Sequence, residues 1–422
     1  MLRREHVVVA LIGALWFGGA SAGRAEAPAF VVFDAVAHHL AVAYAGVAEA
    51  PLADLLPEVR ATLQVRCAAV PDCPGETAFA VLDAFLAEAG DPHTRVLAPE
   101  AFARLVEVNR GAALRKGVGL AVHPPANGLG LVVLDVAPGT PAAATSLARG
   151  DRIVKVNGAW LPVGPEERRG AWDAAVASGP ILVEVVRAGR GSLEVRLEAV
   201  PISVDLPPSL SWLDGGIAWL RVPSLMPADA VAPAVHRLLA DALSAGAAGL
   251  LLDLRDDAGG AYGACLEVAG AFVENAERIF VGPAAFVGFR FHAGVLDTYD
   301  PLGTTHAYEV VQGAVRWAQP VAVLVNARTS SAAEALASEL QGAGIAVVGE
   351  VTAGMANAAV ALVPLPEGYG LVLTVALAVG ADGAPLPARV VPDVLVVDDL
   401  MALAEGRDRV LEAAWALLAG ER

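Results

Sequence analysis

Apolar residues recur at three- and four-residue intervals in Phe33, Val36, Leu40 and Tyr44, and again in Phe79, Leu82, Phe85 and Leu86. That period predicts amphipathic helices between about Phe30 and Glu107. The pattern runs into Gly90-Asp91-Pro92-His93-Thr94, a turn that Pro92 keeps out of helix. From about Gly111 to Val200 the texture changes to short Val/Leu strands separated by Gly and Pro turns. Beyond Pro201 strands and helices alternate, as in an α/β domain. The predicted elements there are a strand from Gly216 to Val222, a helix from Asp229 to Ala245 with His236 on a solvated or partly packed face, and a buried-type strand from Gly249 to Leu254. A helix from Tyr262 to Glu274 follows, then the apolar run Val321 to Val325 and a helix beginning near Ser331. The strand Ala346 to Gly349, a hairpin-like pair (Ala359 to Pro364 and Tyr369 to Val379) and a terminal helix from about Leu400 complete the pattern.

A chain of 422 residues is too long for one core. The expected division is residues 1–22, 23–110, 111–200 and 201–422. The first is a secretory signal: Arg3 and Arg4, an apolar stretch from Val7 to Phe17, and the small-residue exit Ala20-Ser21-Ala22. The stretch is too short to span a bilayer comfortably, so an exported protein, periplasmic or secreted, with no membrane span after signal removal is expected. A formal charge of −17 argues against nucleic acid as a partner. Cys67 and Cys73 bracket a short loop and can pair in an oxidising compartment, leaving Cys265 as a buried small hydrophobe. Cys and His residues show no metal-ligand spacing, and neither metal nor organic cofactor is expected.

The candidate chemistry lies where the Val321 to Val325 strand gives way to a helix. A serine at a first helical turn sits beside free backbone N–H groups and the positive end of the helix dipole, which would stabilise an oxyanion formed next to it. Ser331-x-x-Glu334 is equally a capping box, and either role fits the local sequence.

Two larger resemblances change that balance. Gly117-Val118-Gly119-Leu120, Ala137-Pro138-Gly139-Thr140-Pro141 and Leu147 to Gly158 together resemble a PDZ domain across nearly the whole 111–200 segment. The resemblance implies that Gly117, Val118, Gly119 and Leu120 offer backbone N–H groups to a peptide's C-terminal carboxylate while the peptide adds a strand to the sheet edge. Arg115 and Lys116 beside that loop either add positive charge or form a solvated turn. From about Phe30 to Val397 the chain resembles the C-terminal processing, or tail-specific, serine peptidases. Leu252 to Gly260 matches the family's D-L-R-x-N-P-G-G, Thr329 to Glu334 its S-A-S-A-S-E, Val347 to Glu350 its V-V-G-E, and Val391-Pro392-Asp393 its x-x-P-D. This implies a helical N-terminal region, an inserted PDZ domain and an α/β core of the ClpP/crotonase-like type. It also implies Ser331 as nucleophile and an oxyanion site made by the N–H groups of Ala332 and of Gly259 or Gly260.

The resemblance breaks at the base. Met355 stands where the processing peptidases carry a lysine, and the chain has only two lysines, Lys116 and Lys155, both in the PDZ segment. The turn Thr352 to Asn357 instead resembles the branch containing the tricorn core protease and the bacterial relatives of the interphotoreceptor retinoid-binding protein. There the base is a histidine in an L-G-D-x-H-T motif, matched here by Gly90 to Thr94, so the resemblance implies His93. The glutamate usual before the x-x-P-D segment is replaced by Leu386, leaving Asp91, Thr94 or a carbonyl to orient the ring. Two readings stay open: a peptidase acting on unfolded or C-terminally tagged chains, with protein or peptide substrates recognised by free C-termini, or a catalytically inactive peptide-binding scaffold. A hydrophobic-ligand carrier is a third and minor one.

Overall fold

The computed structural model describes residues 27–48, 51–109, 114–203, 205–380 and 382–420. The expected signal segment lies outside the described residues. No helix among those described is long and apolar enough to cross a membrane.

The helical periodicity near the N-terminus forms α1 (Pro28–Ala43), α2 (Leu52–Cys67) and α3 (Gly75–Glu88), followed by β1 (Arg95–Leu97) and α4 (Pro99–Asn109). Val32, Phe33, Val36 and Leu40 of α1 bury the stripe that their spacing foretold, against Leu63 of α2 and Leu82 of α3. A disulfide joins Cys67 to Cys73 between α2 and α3.

The next segment comprises β2 (Leu114–Gly117), β3 (Leu120–His123), β4 (Leu131–Val136), β5 (Arg152–Val156), β6 (Ala159–Trp160), α5 (Pro165–Ser178), β7 (Ile181–Arg187), β8 (Gly191–Leu197) and β9 (Val200–Ser203). β2 and β9 pair as an antiparallel stem. The remaining strands form a sheet ordered β3-β4-β5-β7-β8, with β3 at its edge and β6 on β5.

The last segment begins with β10 (Ser209–Leu213), β11 (Ile217–Arg221), α6 (Val231–Ser244), β12 (Gly249–Asp253) and α7 (Tyr262–Ala269). Four strands absent from the sequence reading follow: β13 (Asn275–Val281), β14 (Phe286–His292), β15 (Val295–Tyr299) and β16 (Thr305–Val310). They are partly solvated, and Glu277, Arg290 and Asp297 occupy the more exposed positions of their alternating burial. Then come β17 (Val321–Val325), α8 (Ala332–Gly342), β18 (Ala346–Gly349), β19 (Ala358–Pro364), β20 (Gly370–Val379), β21 (Val394–Leu395), α9 (Leu400–Ala404) and α10 (Arg409–Ala419). The expected single terminal helix is therefore two.

The central sheet runs β10-β11-β12-β17-β18-β21, with β11, β12, β17, β18 and β21 parallel. Strands buried on both faces read as the apolar runs seen in sequence. α6, α7 and α8 cover one face, with Val235, Leu239, Ala269 and Leu336 fully buried. Val410 and Ala414 of α10 cover the other. A second sheet, β1-β20-β13-β14-β15-β16 with β19 on β20, joins the N-terminal helices to this core. His236 is buried rather than solvated: its Nε2 meets the Glu267 carbonyl at 3.0 Å and its Nδ1 accepts the Val315 N–H at 3.1 Å. Both ring nitrogens are satisfied, which is why α6 can pack there.

Candidate active site

The parallel strands deliver their C-terminal ends to one edge, where an open α/β sheet binds ligands. β17 ends at Val325, and Asn326 and Arg328 then pin the chain. Asn326 Nδ2 donates to Asp256 Oδ1 at 2.9 Å and to Asp398 Oδ2 at 2.8 Å, while Arg328 Nε donates to Asp256 Oδ1 at 2.6 Å. Ser331 follows with φ 55° and ψ −123°, on the half-buried threshold of α8. A non-glycine residue held there costs on the order of 1–3 kcal/mol, and such strain gathers at functional turns. A serine that only capped a helix would have extended backbone and no such strain.

Glu334 supplies the restraint. Its buried carboxylate accepts the N–H of Ser331 at 2.8 Å, of Gly354 at 2.7 Å and of Met355 at 2.7 Å, together with the Thr352 hydroxyl. The capping-box glutamate thus also ties the 352–355 turn to the serine. The Ala353 N–H adds a bond to the Thr329 carbonyl at 3.1 Å. The backbones of Met355 and Ser331 consequently meet at one carboxylate oxygen, Glu334 Oε2. Asn357, with its Nδ2 donating to the Leu386 carbonyl at 3.0 Å, serves the turn.

Gly259 closes the opposite side. A Cβ built on it would fall 2.8 Å from Ser331 Cβ and 2.9 Å from the Ala332 nitrogen, and its φ is 93°. Only glycine fits there, for space and for backbone angle. The Ala332 N–H, first in α8, has no intrahelical acceptor and is one candidate oxyanion donor. The Gly259 N–H is aimed elsewhere, donating to Asp257 Oδ1 at 2.7 Å. Gly260 backs onto Leu225, from which a Cβ would be only 2.6 Å.

His93 is buried, and its Nδ1 lies 3.3 Å from Asp91 Oδ1. Burial works to raise the Asp91 carboxyl, yet hydrogen bonds from His93, Thr94 and Thr374 hold it well below the usual carboxylate range. His93 Nε2 is buried without a hydrogen-bond partner, so no hydrogen bond joins it to Ser331. Thr94 Oγ1 accepts the N–H of Thr374 of β20 at 3.1 Å, and the Ala378 N–H farther along β20 donates to the Asn357 carbonyl at 2.8 Å. Residues 374 to 378 cover about 13 Å of strand. The structure therefore brings Ser331, Ala332, Gly259 and Met355 together at the end of the central sheet, while His93 sits beside β20 of the second sheet with no hydrogen bond to Ser331.

In the middle segment β3 has a free edge beside α5. Gly119 has φ 86°, and a Cβ on it would collide with Thr140 Oγ1 at 1.8 Å. The carbonyls of Val118 and Gly119 are taken by Ala142 and Ala137 N–H groups. Lys116 Nζ donates to the Ala177 carbonyl at the end of α5 at 3.2 Å, whereas Arg115 stands exposed on β2. The segment is locked to the core by buried ions. Arg221 bonds Asp135 of β4 and Asp253 of β12, both at 3.0 Å, and Arg149 Nε bonds Asp408 at 2.9 Å. Arg255, fully buried, bonds Asp253 Oδ2 at 2.7 Å and Asp408 Oδ1 at 2.6 Å. Burial opposes the Asp253 charge, but Arg255 and Arg221 hold that carboxyl far below its ordinary value.

Family models match this chain in two places: "Peptidase family S41" over residues 216–396 and "PDZ domain" over residues 106–163. The first span contains Gly259, Ser331 and Met355, and the second contains the Gly117 to Leu120 loop. The S41 match takes in the central parallel sheet and the Ser331 junction. Relatives similar to this chain include carboxyl-terminal-processing peptidase 2, chloroplastic, of Arabidopsis thaliana, 29% identical over 324 residues. That alignment covers 71% of this chain and 56% of the relative, so the chain spans little more than half the length of that peptidase. A carboxyl-terminal-processing protease of Synechocystis is 26% identical over 358 residues, covering 82% of this chain and 78% of the relative. Among solved structures, a putative S41 protease from Bacteroides fragilis superposes with a TM-score of 0.57 at 16% identity, covering 81% of this chain and 90% of that one. These agree with an α/β S41 core bearing a PDZ domain. His93 lies outside the matched S41 span.

Sequence reasoning did not find the fourfold role of Glu334, the side-chain bond from Asp257 to Gly259, or the Arg149-Arg221-Arg255 lattice. The capping-box spacing signalled Glu334; the other two depend on residues far apart in the chain or on a side-chain rotamer.

Proposed function

We propose that this chain is a serine peptidase that binds the free C-terminus of an unfolded polypeptide along the β3 edge and cleaves that polypeptide by acyl transfer. The observation that carries this reading is the strained Ser331 at the threshold of α8, with Gly259 packed on its Cβ. Ser331 Oγ attacks the scissile carbonyl carbon, its proton passing to a base. The oxyanion is stabilised by the Ala332 N–H and by Gly259 or Gly260, the amine leaves with the proton, and water hydrolyses the ester. His93 is the base in this proposal, with Asp91 orienting Nδ1 and the unpartnered Nε2 available as acceptor. Proton transfer requires Ser331 Oγ and His93 Nε2 to come within hydrogen-bond reach. Export to the periplasm or beyond is part of the proposal, supported by the N-terminal signal pattern and the Cys67–Cys73 disulfide.

Met355 beside Ser331 favours a second reading, a peptide-binding scaffold without chemistry. Hydrolysis of fluorescently labelled casein separates the two. The peptidase reading expects turnover by the wild-type chain and loss of about 1000-fold or more in both Ser331→Ala and His93→Ala. Equal residual rates in wild type and Ser331→Ala would sink it, and loss in Ser331→Ala alone would move the base elsewhere.

A further inference from the structure

Asp257 stands in the loop between β12 and α7 and touches both halves of the candidate site. Its backbone carbonyl accepts the Ser330 N–H at 2.9 Å, fixing the approach to Ser331. Its side chain, fully buried, turns the other way and accepts the Gly259 N–H on Oδ1 at 2.7 Å. Oδ2 is buried with no hydrogen-bond partner. The N–H of Gly259, the residue packed against Ser331 Cβ, is therefore already occupied.

We infer that Asp257 is a positioning residue of the oxyanion site: its side chain holds the Gly259 N–H away from Ser331, and the site becomes competent when that N–H passes from Asp257 Oδ1 to the developing oxyanion. The inference rests on the serine peptidase reading and adds a control on the same site. A neutral carboxylic acid yields the N–H readily, because its carbonyl oxygen is a weak acceptor. A carboxylate holds the N–H roughly twice as strongly and sets a negative charge beside the forming oxyanion. The charge state of Asp257 thus sets whether the donor is released.

The surroundings favour the neutral acid. Burial pushes the Asp257 carboxyl well above its ordinary value against the opposing Gly259 N–H bond; Asp205, after β9, adds to the rise and Arg221 at the end of β11 opposes it. Asp205 is itself raised by burial, with its Oδ2 also unpartnered and its Oδ1 accepting the Ser224 hydroxyl at 3.0 Å. Cys265 of α7 faces the same carboxyl, and its thiol is pushed up to about 12 by burial, so it stays neutral.

The test measures the rate at which a fluorophosphonate labels Ser331, followed by peptide mass spectrometry between about pH 6 and pH 10. Wild type is compared with Asp257→Asn, which keeps the shape and the acceptor but cannot ionise. On the alkaline side wild type should fall about 100-fold below the variant, the cost of losing one oxyanion donor. Parallel profiles for the two proteins would overturn the inference. Absence of labelling in every protein would instead count against the peptidase reading, and a second measurement then judges Asp257. In ¹⁵N-glycine-labelled full chain, the Gly259 amide resonance should move with alkaline pH in wild type and stay fixed in Asp257→Asn. A Gly259 resonance insensitive to pH in both proteins overturns the inference whatever the activity.

Discussion

The backbone N–H groups of Ser331 and Met355 converge on a single oxygen, Glu334 Oε2, at 2.8 and 2.7 Å. One carboxylate therefore holds Ser331 and the 352–355 turn in a fixed relation. Replacing Glu334 by Ala strands three backbone donors and a threonine hydroxyl in a buried space. We expect Glu334→Ala to lose at least about 3 kcal/mol of stability in urea unfolding and to abolish fluorophosphonate labelling of Ser331. Retention of wild-type stability would contradict the role assigned to this carboxylate.

The same relation makes Met355 the position from which to install a base. A lysine there would emerge beside Ser331 from a turn already anchored by its own backbone N–H. Met355→Lys should raise casein hydrolysis by at least about tenfold, with a rate that climbs as pH rises and the ammonium loses its proton. Adding Ser331→Ala must remove the gain; a gain that survived would show that the new activity arises elsewhere.

Asp91 predicts a pH dependence of stability. Its folded-state pKa lies below the unfolded value, because the bonds from His93, Thr94 and Thr374 outweigh burial. The stabilisation is complete above the unfolded value of about 4 and is lost as pH falls toward the folded one. Asp91→Asn should cost on the order of 2–3 kcal/mol at neutral pH and flatten the acid limb of a melting-temperature profile. Identical acid limbs for both proteins would refute this account.

Arg221 joins Asp135 of the PDZ domain to Asp253 of the S41 core, with all three side chains largely buried. Removing the guanidinium leaves two carboxylates underground, at a cost of about 3–5 kcal/mol for Arg221→Leu. Asp135→Asn is gentler, since Asp253 keeps Arg221 and Arg255. It should loosen the PDZ domain from the core, increasing the radius of gyration by X-ray scattering and the rate of proteolytic nicking near residues 201–209. An unchanged scattering profile would mean that the contacts of α9 with β4 hold the domain unaided.

Periodicity and local spacing carried much of this protein's organisation. The stripe from Phe33 to Leu40, the buried strands β12 and β17, and the placement of Ser331 at a strand-to-helix junction all follow from interactions between residues near one another in the chain. The glycine at 259 was legible as a required backbone, and Cys67 with Cys73 as a possible pair. Other features depended on packing between distant segments. The register of β13 to β16 is set by their pairing with one another and of β13 with β20. The Gly90 to Thr94 turn offered Asp91 among several orienters of the His93 ring but not that Nε2 is left unpartnered, nor does Glu334 disclose that its carboxylate reaches a turn twenty residues on. Hydrophobic period and turn chemistry are written in adjacent residues; the direction of a buried polar side chain depends on which distant donors the fold leaves unsatisfied, and only the tertiary structure decides that.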